Sequence, residues 1–148
     1  MAKDNAQVIA SLKKLLSSSY LLYTKTHNFH WNVTGPMFTT LHNLFEQQYT
    51  EYAAAVDEIA ERIRALGDFA PGSFTEFKKF SVIDEDTERR SATEMIQILV
   101  ADSEAVDAAA RELVEAAEAV NDAASADLGT RRSDAHEKNA WMLRSHLE

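Results

Sequence analysis

Residues 36–67 read PMFTTLHNLFEQQYTEYAAAVDEIAERIRALG, and the spacing of their apolar residues decides the fold. Leu41, Phe45, Tyr52, Val56, Ile59, Ile63 and Leu66 fall on one face of a helix of 3.6-residue period. Gly67 ends the run. Upstream, residues 4–33 carry a matching stripe of Val8, Leu12, Leu15, Leu16, Ser19, Leu22, Tyr23, Thr26, Phe29 and Val33. It closes at Thr34-Gly35-Pro36, where Gly suits a helix end and Pro cannot continue the preceding helix. Each of these helices is expected to span roughly 45 Å at ~1.5 Å per residue. Downstream, residues 67–90 form the only long connection, within which Ser73–Phe80 (SFTEFKKF) can make a short helical piece. The third helix opens with Ser91 and Glu94 at capping-box spacing and carries the seam Ile96, Leu99, Val106, Ala110, Leu113, Ala117 and Val120. The fourth is expected to start near Asp127, as its N-cap, and to run to about His146. A connection as long as 67–90 in a bundle crosses from one end to the other. The expectation is an all-α four-helix bundle with a long crossover between helices two and three, forming one domain over residues 1–148.

Composition points the same way. Alanine, the best helix former, fills 23 of the 148 positions, while four Gly and two Pro are too few for a many-turned β architecture. The absence of cysteine excludes disulfides, thiolate zinc sites and cysteine nucleophiles. A net charge of −9 argues against a dedicated nucleic-acid or anionic-membrane surface, which needs a basic footprint. No apolar run approaches the roughly 18 residues of a membrane span, and the opening MAKDNAQVIASLKK lacks a secretory apolar core with a cleavage site. A cytoplasmic location is therefore expected.

The polar face of the second helix holds the functional signal. With His42 at 0° and ~100° per residue, Glu46, Asp57 and Glu61 lie at about 40°, 60° and 100°, well away from the bundle-facing stripe near −80°. These four residues cannot build a site inside their own bundle. His42 and Asp57 are also roughly 22 Å apart along the axis, too far for one ion. The residue numbers of His42 and Glu61, and of Glu46 and Asp57, nevertheless share one sum, 103. Two copies of this helix crossing antiparallel near residue 51.5 would set His42 and Glu46 against the other copy's acids. Thr50 and Ala53, small residues with the same sum, would allow close approach at the crossing. The arithmetic implies a two-fold dimer with two equivalent His/carboxylate clusters, each about 14 Å from the axis. One imidazole with three carboxylates suits Fe(II), Mn(II) or Zn(II) rather than Cu(I). His30, near the end of the first helix and on its core side, is the natural fifth member.

The stretch THNFHWNVTGPMFTTLHNLFEQQYTEYAAAVDEIAERIRALG, residues 26–67, resembles the Dps family, the miniferritins of the ferritin-like superfamily. It carries His30-Trp31, then His42 twelve residues after His30, Glu46 four further on, and Asp57-x-x-x-Glu61 running into Ala-Glu-Arg. The four-helix layout extends the likeness over nearly the whole chain. The resemblance implies that His30, His42 and Glu46 of one subunit and Asp57 and Glu61 of its two-fold partner form a ferroxidase centre. It implies a hollow dodecamer that oxidises Fe(II), preferentially with hydrogen peroxide, and stores ferric iron against oxidative stress; Zn or Mn can occupy the same site. It also places Trp31 near the iron centre, where it can intercept oxidising equivalents, and sets acid-lined pores near the junction of helices three and four, where Asp127 leads the candidates, followed by Asp122 and Glu118. Two features depart from the family. Glu46 stands where Asp is usual, which keeps the charge and lengthens the reach. The segment before the first helix offers only Lys3 beside Asp4, so DNA binding is doubtful.

Each residue also has a plainer reading. A lone His on a helix is usually structural, and His27, which makes His-x-x-His with His30, is at most an outer or alternative ligand. Asp57 and Glu61 can be a solvated ion-pair face, with Arg64 three residues after Glu61 and Arg62 four after Glu58. Asp122 and Asp127 can be a polar loop and a cap, and Arg131 and Arg132 are expected in subunit or surface pairs. Two rival functions remain: a DNA-compacting protein with little iron turnover, opposed by the charge, and a ferritin with its site inside the bundle. The latter needs Glu-x-x-His motifs, but the residues three before the histidines are Thr24, His27, Thr39, Ser133 and Leu143.

Overall fold

The structure, a computed structural model, describes residues 4–148; Lys3 lies outside the described residues. Among them there are five α-helices and no strand: α1 Ala6–Asn32, α2 Phe38–Ala65, α3 Phe74–Phe80, α4 Ala92–Ala119 and α5 Ala123–Arg144, followed by a 3-10 turn, Ser145–Leu147. α1 packs on both α2 and α4, and α4 on α5, while α2 touches α5 lightly. The short α3 rides on α1 within the crossover. This is the four-helix bundle that the apolar stripes predict. No described helix is long and apolar enough to cross a membrane.

The stripes form the core. Leu12, Leu15 and Leu22 of α1, Phe45, Tyr52 and Ile59 of α2, and Ile96, Val106 and Leu113 of α4 are wholly buried. Ser91 accepts from the Glu94 amide while Glu94 caps the Ser91 amide, the reciprocal arrangement that satisfies two orphan donors at once. Gly129, in mid-α5, is required by close approach: a Cβ there would lie 2.8 Å from Val114 and 3.0 Å from the Ala110 carbonyl oxygen.

Two boundaries differ from expectation. α2 begins at Phe38, after a turn at 35–37. α5 begins four residues earlier than Asp127, with Asp122 as the N-cap accepting from the Ser125 amide. Asp127 is instead an exposed helical residue paired with Arg131 one turn on. The reason is tertiary, because Arg62 of α2 binds the Asp122 carboxylate at 2.8 Å and fixes it at the helix start.

A buried ion pair ties α1 to α4. Lys25 Nζ lies 2.7 Å from Asp102 Oδ2, with only 8 % and 13 % of the side chains exposed. Burial pushes the Asp102 carboxyl up, against the opposing pull of the Lys25 ammonium. Lys25→Met is expected to cost about 3–5 kcal/mol, because it leaves a buried carboxylate without its partner. The double variant Lys25→Met/Asp102→Leu should recover most of that loss. Urea unfolding at fixed protein concentration measures both; equal destabilisation of the single and double variants would contradict the expectation.

Candidate metal centre

The site begins at the turn between α1 and α2. Val33 leaves the helix with extended backbone and donates its amide to the Phe29 carbonyl. Gly35 follows at φ +102°, a left-handed conformation that favours glycine, and Pro36 turns the chain back. The last turn of α1 and the first of α2 are thereby set side by side.

This places the His30 and His42 rings in a stack, centroids 3.8 Å apart. The two residues exchange hydrogen bonds. His30 Nδ1–H donates to the His42 carbonyl at 2.7 Å, and His42 Nδ1–H donates to the His30 carbonyl at 2.7 Å. A carbonyl oxygen only accepts, so each Nδ1 carries a proton, and each neutral ring keeps its lone pair on Nε2. Backbone bonds of this kind fix tautomer and ring orientation in metal-ligating histidines. The free side of His30 faces Glu46, with Nε2 3.7 Å from Oε1. Ligand atoms of His30, His42 and Glu46 all lie within 4.8 Å of one another, a group that can hold a metal ion. His30 is buried and Glu46 exposed, so the cluster opens outward from the bundle. Phe38 covers the outer face of His42, centroids 5.0 Å apart.

Asp57 and Glu61 do not join this cluster within the chain. They form an exposed pair further down α2, where a hydrogen bond with Asp57, and then its negative charge, raise the Glu61 carboxyl above its ordinary range. No salt bridge to either acid is present among the described residues. Arg62 and Arg64, the nearby partners a surface reading would use, bind Asp122 and the Asp68 carbonyl instead.

His27 also lies outside the ligand group. Its ring centroid lies 3.9 Å from that of Trp31, with the rings tilted at 38°; the ring is stacked on Tyr49 at 4.3 Å and is 6.2 Å from His30. Desolvation, then the neighbouring His30, lower its pKa. Trp31 is 63 % exposed beside the cluster. Tyr49, which the sequence reading did not single out, stands edge-on to His30 at 5.2 Å. The signal was available, since Tyr49 is seven residues after His42 and three after Glu46, on the same face.

Two of the candidate pore acids, Asp122 and Asp127, are engaged within the chain. Burial pushes the Asp122 carboxyl up, but the Ser125 hydroxyl and amide and Arg62 outweigh it and leave the pKa lowered. Asp127 is bound by Arg131, which also grips Glu58 of α2, while Glu118 is exposed. Arg132 is only 4 % exposed and is held by Glu51 through both terminal nitrogens. Both arginines thus serve α2–α5 pairing, and Arg132 does so from inside the bundle.

Known proteins agree with this reading of the fold. The ferritin-like domain matches residues 9–148. The chain is 40 % identical over 143 residues to DNA protection during starvation protein 2 of Bacillus anthracis, covering 97 % of this chain and 98 % of that one. Dps from Staphylococcus aureus superposes with a TM-score of 0.94 at 33 % identity, over 100 % of this chain and 99 % of the other. Dps from Vibrio cholerae O1, described as a member of a broad superfamily of ferritin-like diiron-carboxylate proteins, gives 0.94 at 29 % identity over 100 % and 98 %. Fold and matched domain define a ferritin-like four-helix protein. Within that class, the chain belongs to the Dps family.

Proposed function

We propose that this chain is the subunit of a cytoplasmic miniferritin. It binds Fe(II) at centres shared between two subunits, oxidises it preferentially with hydrogen peroxide, and stores the ferric product inside a hollow dodecamer. The observation that carries the reading is the reciprocal His30–His42 bonding, which leaves two Nε2 lone pairs and the Glu46 carboxylate converging outside the bundle. Such a half-site has too few donors for a redox-active pair of ions, and Asp57 and Glu61, on the same face of α2, supply the missing acids from a second copy. Imidazole with carboxylates suits iron, and also manganese or zinc.

Each part of the chain has a task. His30 and His42, locked by backbone carbonyls, present their nitrogens without rotation. Glu46 and the partner's acids neutralise the cationic charge and favour Fe(III) over Fe(II). Peroxide takes two electrons from two Fe(II) ions and, with two protons, leaves as two waters; the ferric ions pass to the mineral. The protein supplies position and electrostatics while the metal carries the redox chemistry. Since both electrons are taken together, no hydroxyl radical is released. The Bacillus anthracis relative is named for DNA protection; with a net charge of −9 here, removal of peroxide and iron accounts for such protection better than physical coating does.

The test is stopped-flow mixing of anaerobic Fe(II)-loaded protein with hydrogen peroxide or dioxygen. The expected result is faster oxidation by peroxide, with two Fe(II) consumed per peroxide. Oxidation no faster than in protein-free buffer would refute the proposal.

A further inference from the structure

Phe38 is the first residue of α2 and is 42 % exposed. It stands outside the apolar core, so core packing does not account for its ring. Among the described residues that ring stacks on one other. His42, four residues on and on the same face of the helix, presents its imidazole at 5.0 Å between centroids and 22° between planes. The opposite face of the imidazole lies on His30, at 3.8 Å and 17°. Phe38, His42 and His30 therefore form a three-ring stack with His42 in the middle. The Nδ1–H edge of His42 is also engaged, donating to the His30 carbonyl at 2.7 Å. With both faces and one edge held, Nε2 is the atom left for an ion. The two histidines do not depend on the stack equally. His30 is buried, whereas His42 is half-buried in the opening turns of a helix. A surface histidine there has other staggered rotamers open to it, and Phe38 occupies the side through which the ring would leave.

We propose that Phe38 is a positioning residue for the metal centre: its ring clamps the His42 imidazole against His30 and raises the affinity of the His30–His42–Glu46 cluster for a divalent ion. The proposal rests on the metal-binding reading above and deepens it. Two effects act in the same direction. The clamp removes the outward rotamer of His42 before an ion arrives, so the freedom of that side chain is not lost on binding. The second effect is electrostatic. An imidazole bound to a dication is drained of electron density and becomes partly positive, and a positive ring is attracted to the negative face of a phenyl group. Phe38 thus holds the ligated His42 more strongly than the free one, and that difference appears as affinity. A backbone hydrogen bond fixes which nitrogen of His42 carries the proton; Phe38 fixes where the other nitrogen points.

Two measurements on the assembled protein test this, with two variants. Phe38→Leu keeps apolar bulk but has no flat face, and Phe38→Tyr keeps the ring. The first measurement is titration with Co(II), followed by its visible absorption with no peroxide present. Phe38→Leu should bind Co(II) about tenfold more weakly than the parent, the size of effect expected of a group that orients a metal ligand, and Phe38→Tyr should match the parent. The second needs no metal. In crystals of the metal-free proteins, His42 should occupy one rotamer in the parent and in Phe38→Tyr, and should divide between that rotamer and one turned to solvent in Phe38→Leu. Equal Co(II) affinity in the parent and Phe38→Leu, a loss that Phe38→Tyr does not restore, or a single His42 rotamer in Phe38→Leu overturns the clamp. The underlying reading is tested separately: if His42→Ala leaves Co(II) binding unchanged, the metal centre falls, and the metal-free crystals still decide whether Phe38 holds His42.

Discussion

His42→Ala chains and Asp57→Ala chains, each expected to lose Fe(II) oxidation on the order of 100-fold when assembled alone, should regain activity when assembled together. The loss follows from ligand removal, since even outer partners of a metal ligand are worth 10–100-fold. The recovery follows from geometry. His42 sits in a cluster with His30 and Glu46, while Asp57 lies fifteen residues further along α2, roughly 22 Å at the helical rise. If each centre takes its histidines from one subunit and Asp57 and Glu61 from the other, a mixed dimer collects both lesions in one centre and leaves the other intact. Up to half the mixed-dimer activity should return, and a random one-to-one mixture should recover about one quarter of all centres.

The experiment uses co-expressed chains with two different tags, purified on both so that every assembly is mixed. Fe(II) oxidation by peroxide is then followed at equal protein concentration. Activity that stays at the single-variant level would refute the shared centre and leave the fold untouched, because the bundle rests on buried apolar stripes that neither substitution reaches. Recovery would also set the polarity of the pairing, since only an antiparallel α2–α2 crossing brings residue 42 of one copy to residue 61 of the other.

The fold was legible wherever burial follows apolar periodicity. The stripes of α1, α2 and α4 are the core, and the capping box at Ser91 marks the start of α4 as its spacing requires. The His30, His42 and Glu46 cluster was legible because the ligands stand at fixed helical spacing on either side of one short turn. α5 was harder to read. Its buried face is Ser125, Leu128, Gly129, Arg132, Ser133, His136, Ala140 and Leu143, and most of these are polar or small, so a search for apolar periodicity passes over it. Its start was misplaced for a related reason. Asp122 and Asp127 are locally equivalent as caps, and the choice is made by Arg62, sixty residues away in sequence. Tyr49 was overlooked because a half-buried tyrosine beside a helix contact looks like packing until the neighbouring rings are seen.

His136 should make the native protein lose stability as pH falls from 6.5, by about 1.4 kcal/mol per pH unit below that point. The ring is fully buried. Burial, and then the adjacent Arg132 guanidinium, push its pKa down from 6.5 to about 3. The groups facing it are Arg132 on its own helix, itself paired with Glu51 of α2, and the Tyr52 ring of α2, stacked 5.5 Å away. None offers the imidazolium a negative partner. The unfolded chain takes up the proton near pH 6.5 and the folded one only near 3, so the full contribution exists above 6.5 and is withdrawn toward pH 3. Across that range the loss is about 5 kcal/mol. Carboxylates held low by partners, such as Asp86 beside Arg90 and Asp68 beside Lys13, begin to titrate at lower pH. Asp102 and Glu61, both held high, titrate toward the same window with the opposite sign. The comparison is therefore made between parent and variant over pH 6.5 to 5, where these contributions are common to both. His27, also lowered, adds to the slope there, and a variant is needed to separate the two. His136→Gln removes the titrating group, and the slope of unfolding free energy against pH should shrink by one proton's worth in that window, whatever the variant does to stability at pH 7. Urea unfolding at fixed protein concentration, which holds the assembly contribution constant, measures both slopes. Equal slopes in parent and variant would mean that the imidazole finds an acceptor or water in the folded state, and that its burial does not oppose protonation.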